Sequence, residues 1–70
     1  MSNLIFDTYS AARAADRAFA DELARVYGRE ACNARYDGRG TATPELARLA
    51  AAKIAADDAR RAAMVQGDAA

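Results

Sequence analysis

Four features of the chain have residue types and spacings that bear on chemistry. They are Cys32, the adjacent carboxylates Asp57 and Asp58, Asp16, and the polar run Arg35-Tyr36-Asp37-Gly38-Arg39-Gly40. Cys32 has no C-x-x-C neighbour and the chain has no histidine, so neither a zinc set nor a Cys–His nucleophile can be assembled around it. It reads as a reduced, partly buried thiol. Asp57 and Asp58 diverge by about 100° on a helix and cannot clamp one ion together, so they read as a solvated face with Arg60 and Arg61 in pairing range. Gly38-Arg39-Gly40 lacks the strand and the Lys-Ser/Thr of a phosphate-binding loop. Arg35, Tyr36 and Arg39 are the residue types that dominate protein-binding hot spots, and they also suit an ordinary solvated turn. No catalytic group, metal or cofactor is expected.

Charge supports the same reading. Ten basic and ten acidic residues cancel and are interspersed, whereas nucleic-acid binding usually shows as a basic patch and a pI above about 9. Direct DNA binding is disfavoured. The apolar start Leu4-Ile5-Phe6 is far shorter than a secretory core of about 7–15 residues, and no run approaches the roughly 18 apolar residues of a membrane span. A soluble cytoplasmic protein is expected, with no membrane partner.

These residues must be positioned by very little core. Of the 70 residues 21 are alanine, and only 16 other hydrophobic residues remain. A chain this short forms one domain at most, and its core rarely supplies more than about 3–5 kcal/mol. Sandwiches, barrels and doubly wound sheets are excluded, which leaves an all-α fold.

The boundaries are readable. Thr43 can cap a helix, Pro44 suits a first helical position and Glu45 faces the positive end of the dipole. Helix two is predicted over about 44–66, ended by Gly67, with a disordered tail over 67–70. Asp37–Ala42 forms the hinge, on the strength of its two glycines. Helix one is predicted over about 5–36 and carried through Gly28, with a kink or short extra helix after Gly28 as the alternative. Together they make an antiparallel two-helix hairpin.

Steps of 100° gather Ile5, Tyr9, Ala12, Ala15, Phe19, Leu23, Val26 and Tyr27 on one side of helix one. Arg13, Arg17, Asp21 and Arg25 line the other, with Arg17–Asp21 and Asp21–Arg25 as expected ion pairs. Asp16 falls inside the apolar stripe, and its plain reading is a pair with Arg13 at the stripe's edge. On helix two, Leu49, Ala52, Ala56, Ala59 and Ala63 form a heptad seam that would accept the bulky stripe of helix one. Leu46, Ile54, Met64 and Val65 fall off that seam.

Two helices cannot surround both stripes, so several large apolar side chains should stay exposed, and such patches mark interaction sites. The expected protein-binding residues are Tyr9, Phe19, Leu23, Tyr27, Arg35, Tyr36 and Arg39. Self-association into a four-helix homodimer would use the same surface.

The runs Tyr9-Ser10-Ala11-Ala12-Arg13-Ala14-Ala15-Asp16, Ala34-Arg35-Tyr36-Asp37-Gly38-Arg39-Gly40 and Thr43-Pro44-Glu45-Leu46 resemble small alanine-rich helical proteins of proteobacterial integrative and conjugative elements. The resemblance covers most of the chain. It implies an antiactivator that binds a LuxR-type quorum-sensing regulator and an excision activator of conjugative transfer and keeps both inactive. It assigns no contact residues. The alternatives are a self-assembling structural bundle or accessory protein of a phage or element, and a direct DNA-binding excision factor.

Overall fold

The alanine-rich first half contains nothing that breaks a helix before Gly28, and the computed structural model, which describes residues 4–69, begins with helix α1 over Leu4–Tyr27. Gly28 adopts φ +57°, the left-handed geometry in which helices commonly terminate on glycine. A single 3₁₀ turn, Gly28–Glu30, follows, and helix α2 restarts over Ala31–Tyr36. Helix one is therefore interrupted rather than continuous, and the alternative of a short extra helix after Gly28 is the observed one. The left-handed glycine ends one helix and re-aims the next, which an interior glycine in ordinary helical geometry would not do.

The hinge turns on Gly38, at φ +93°. The Asp37 amide closes α2 by donating to the Asn33 carbonyl at 3.1 Å, and a 3₁₀ turn over Arg39–Thr41 ends with the Ala42 amide on the Arg39 carbonyl at 3.1 Å. The predicted cap is present: the Leu46 amide donates to Thr43 Oγ1 at 3.1 Å. From there helix α3 runs Pro44–Ala69, so Gly67 does not end it. An interior glycine costs about 1 kcal/mol against alanine and is not by itself a stop. The expected tail over 67–70 thus overlaps the helix, and Ala70 lies outside the described residues.

α1 and α3 pack along one another as the two arms, and α2 folds against α1 at the hinge end. The long dimension of 43 Å matches the roughly 39 Å of a helix the length of α3. The core is gathered near the hinge. Phe19, Leu23, Ala34 and Leu46 are buried, with Val26, Tyr27, Ala31, Leu49 and Ala50 packed around them. Gly40 is buried against this cluster, where an added Cβ would meet Phe19 Cζ at 3.3 Å. Further along the hairpin, the buried hydrophobic residues among those described are Ala12 and Ala63.

The seam on α3 differs from the expected one by a single residue of phase. Leu49, Ala56 and Ala63 face inwards as expected, but Ala52 and Ala59 are exposed. Lys53 and Arg60 take their places, half-buried, and Leu46 heads the stripe fully buried. From Leu46 to Ala63 the steps are three, four, three, four, three. Charged residues fit because a two-helix hairpin has no third layer. Their alkyl stems cover apolar surface while their heads reach water from the edge.

Candidate functional site

The seven residues expected to bind protein separate into four places. Phe19 (6% exposed) and Leu23 (1%) are core, and no partner reaches them in the folded chain. The stripe they lie on is the one that α3 covers near the hinge, so bulk alone did not determine what stays outside. Tyr27 is half-buried, and its hydroxyl donates to the Arg39 carbonyl at 2.7 Å, tying the end of α1 to the hinge. The Arg39 guanidinium lies over the Tyr27 ring, 5.4 Å from its centroid. It also chelates Asp37, with Nε 2.9 Å from Oδ2, and approaches Glu30 at 3.6 Å. These bonds hold the Asp37 carboxyl below the usual aspartate range. Arg39 is thereby a structural clasp of the turn.

Arg35 is also engaged within the fold. Its Nη2 donates to Asp16 Oδ1 at 2.5 Å, bridging α2 to α1, and its guanidinium lies over both Phe19 and Tyr36. Asp16 thus pairs across the hairpin with Arg35 rather than along its own helix with Arg13. A groove of about 240 Å³ lies beside this bridge, lined by Ala20, Leu23, Ala31, Cys32, Arg35 and Tyr36. Tyr36 is 80% exposed, the most accessible of the exposed large hydrophobics, and Cys32 is exposed rather than partly buried.

Tyr9 is apart from all of these, roughly 27 Å along α1 from Tyr27. It lies beside a second groove, of about 530 Å³, between the arms. The Arg13 Nη1 donates to the Tyr9 hydroxyl at 3.2 Å, which lowers the phenol's pKa, with a smaller contribution from Arg60. The Arg60 guanidinium lies over the same ring, 5.3 Å from its centroid. Asp16, Arg17 and Asp57 complete the charged lining. This cluster was not read from the sequence as a site. The Tyr9–Arg13 spacing of four was visible, but Arg60 arrives from the other arm and depended on the phase of α3.

The remaining exposed bulk is at the open end of the hairpin. Leu4, Ile5 and Phe6 from α1 and Met64 and Val65 from α3 are exposed there, and Ile54 is exposed midway along α3. The expected Asp21–Arg25 pair is replaced by a two-pronged Arg25–Glu22 bond at 2.6 and 2.7 Å. Asp57 pairs with Lys53 at 3.6 Å, and Asp58 with Arg61 at 3.7 Å. Among the described residues no group of His, Cys, Asp and Glu could hold a metal ion, and no helix is long and apolar enough to cross a membrane.

Fold and surface together define an all-α helical hairpin with an interrupted first arm and two open grooves. No family model, curated protein or solved structure matches the chain.

Proposed function

We propose that this chain is a small protein-binding regulator: an antiactivator, similar to QseM, that sequesters the DNA-binding quorum-sensing and excision activators of a mobile conjugative element. It acts in the cytoplasm by occupying its partner rather than by catalysis, and it does not itself bind DNA. The observation that supports this most is the apolar surface the hairpin leaves uncovered, above all the cluster at the open end. Leu4, Ile5, Phe6, Met64 and Val65 are each 44–69% exposed there. A core worth only about 3–5 kcal/mol adds to the argument, since a partner that binds the folded state stabilises it by mass action.

Affinity purification of the tagged chain from its native host, read by mass spectrometry, should recover a DNA-binding transcriptional regulator. Recovery of no such protein would overturn the reading. The same exposed apolar cluster fits a second copy of the chain, which favours a self-assembling bundle as the second reading. Sedimentation that finds a monomer at high micromolar concentration would remove it.

A further inference from the structure

The groove between the arms has an electrostatic imbalance that the fold does not use. Its two carboxylates are each engaged by a cation from elsewhere: Asp16 by Arg35 at 2.5 Å and Asp57 by Lys53 at 3.6 Å. Among the described residues, Arg13, Arg17 and Arg60 have no carboxylate within ion-pair distance. Arg13 holds the Tyr9 hydroxyl, Arg60 lies over the Tyr9 ring, and Arg17 makes neither contact. Three arginines therefore line one groove of about 530 Å³ with no carboxylate within ion-pair distance of any of them. Arginine forks match carboxylates in a planar, two-bond geometry.

Spacing selects the ligand. Arg13 and Arg17 are four residues apart on α1, a rise of about 6 Å, and Arg60 faces them from α3. Two acidic side chains four apart on another helix have the same rise and share one face. A nucleic-acid backbone would require a longer basic track, whereas this groove is short and the chain's net charge is zero.

We infer that Arg13, Arg17 and Arg60 form a docking site for a helical protein segment carrying two carboxylates one turn apart. The inference rests on the protein-binding reading above and names the chemistry of the partner's contact. Tyr9 ties the two arms together here, its hydroxyl accepting from Arg13 of α1 and its ring lying under Arg60 of α3.

The test uses the full chain and an alanine-based helical peptide of about 16 residues, long enough to hold a helix, with glutamates at i and i+4. In amide and arginine side-chain NMR, saturable shifts should centre on residues 9–17 and 57–60. The same peptide with glutamine in place of glutamate should bind about tenfold more weakly. The double variant Arg17→Glu/Arg60→Glu should lose binding by at least about the same factor. Arg17→Gln/Arg60→Gln, which removes charge without reversing it, gives the same readout should the first variant not fold. No saturable shift, equal binding of the two peptides, or tighter binding of a single-stranded oligonucleotide at these residues would overturn the inference. So would a native regulator captured equally well by wild type and the double variant. A peptide that binds while no regulator is captured would leave the groove standing and remove only the antiactivator reading.

Discussion

Asp16 on α1 and Arg35 on α2 are 19 residues apart in sequence and joined at 2.5 Å. The bond explains why a carboxylate sits on an otherwise apolar stripe: it anchors the short helix that Gly28 re-aims. Arg13 is left outside ion-pair distance of Asp16 and keeps only a longer-range attraction to it.

Asp16→Asn keeps the shape and removes the charge, so the pair's contribution should be lost without repacking. Both side chains are partly exposed, which limits the cost to about 0.5–1 kcal/mol. Thermal melting followed by circular dichroism should show a fall of about 2–8 °C in Tm. An unchanged Tm would show that the bridge does not stabilise the packing of α2.

Leu46 is fully buried and Val65 is largely exposed, although both were read as lying off the α3 seam. Leu46→Ala should cost about 2–5 kcal/mol, comparable to the whole stability expected of such a core. The variant should lose its cooperative unfolding transition. Val65→Ala should stay within about 0.5 kcal/mol of wild type. Urea titrations of the two variants test the ordering, and the reverse order would contradict the packing described.

Gly40→Ala places a methyl group 3.3 Å from Phe19 Cζ and 3.4 Å from the Ala34 carbonyl. The carbonyl is part of a packed helix and the ring is buried, so neither yields readily. Overpacking of this kind costs about 1–3 kcal/mol. Denaturant unfolding should show the loss, with the Phe19 ring resonances displaced. Wild-type stability would mean that the hinge does not press on the core.

Acid should weaken the fold, and the direction follows from three carboxylates. Glu22, Glu45 and Asp37 are held below their ordinary values chiefly by hydrogen bonds from Arg25, Arg48 and Arg39 respectively. A carboxyl whose folded pKa is lowered contributes stability above its unfolded pKa, and that stability is lost as pH falls through the folded value. Decline should therefore begin below about pH 4.5, the ordinary glutamate value, and continue as the lowered values are passed. The pairs are accessible to solvent, so the effect should be small and should shrink with added salt. A Tm that rises on acidification across this window would contradict these assignments.

The sequence made some of this structure legible and hid the rest for identifiable reasons. The Thr43–Pro44 start of α3 was readable because capping is local chemistry, and the Gly38 turn likewise. Whether Gly28 would break helix one was not, because the choice between an interior glycine and a left-handed terminator depends on where α2 must pack. The α3 seam was misphased because alanine carries almost no directional signal. Arg60 reads from sequence as part of a solvated face and Lys53 has no place on the expected seam, yet both are half-buried along it. That error hid the groove, since Arg60 meets Tyr9 only in the observed phase. Phe19 and Leu23 were rightly seen as sharing a stripe, but which part of it α3 would cover near the hinge depended on the three-dimensional path of the turn.

On the function proposed, the chain silences a DNA-binding regulator by occupying it. The most direct measurement adds increasing amounts of the purified chain to the captured regulator bound to its own operator DNA, read by gel mobility shift. Dose-dependent loss of the regulator–DNA complex is expected, with no shift produced by the chain alone. A regulator–DNA complex that persists at saturating chain, or a shift of the DNA by the chain itself, would contradict it.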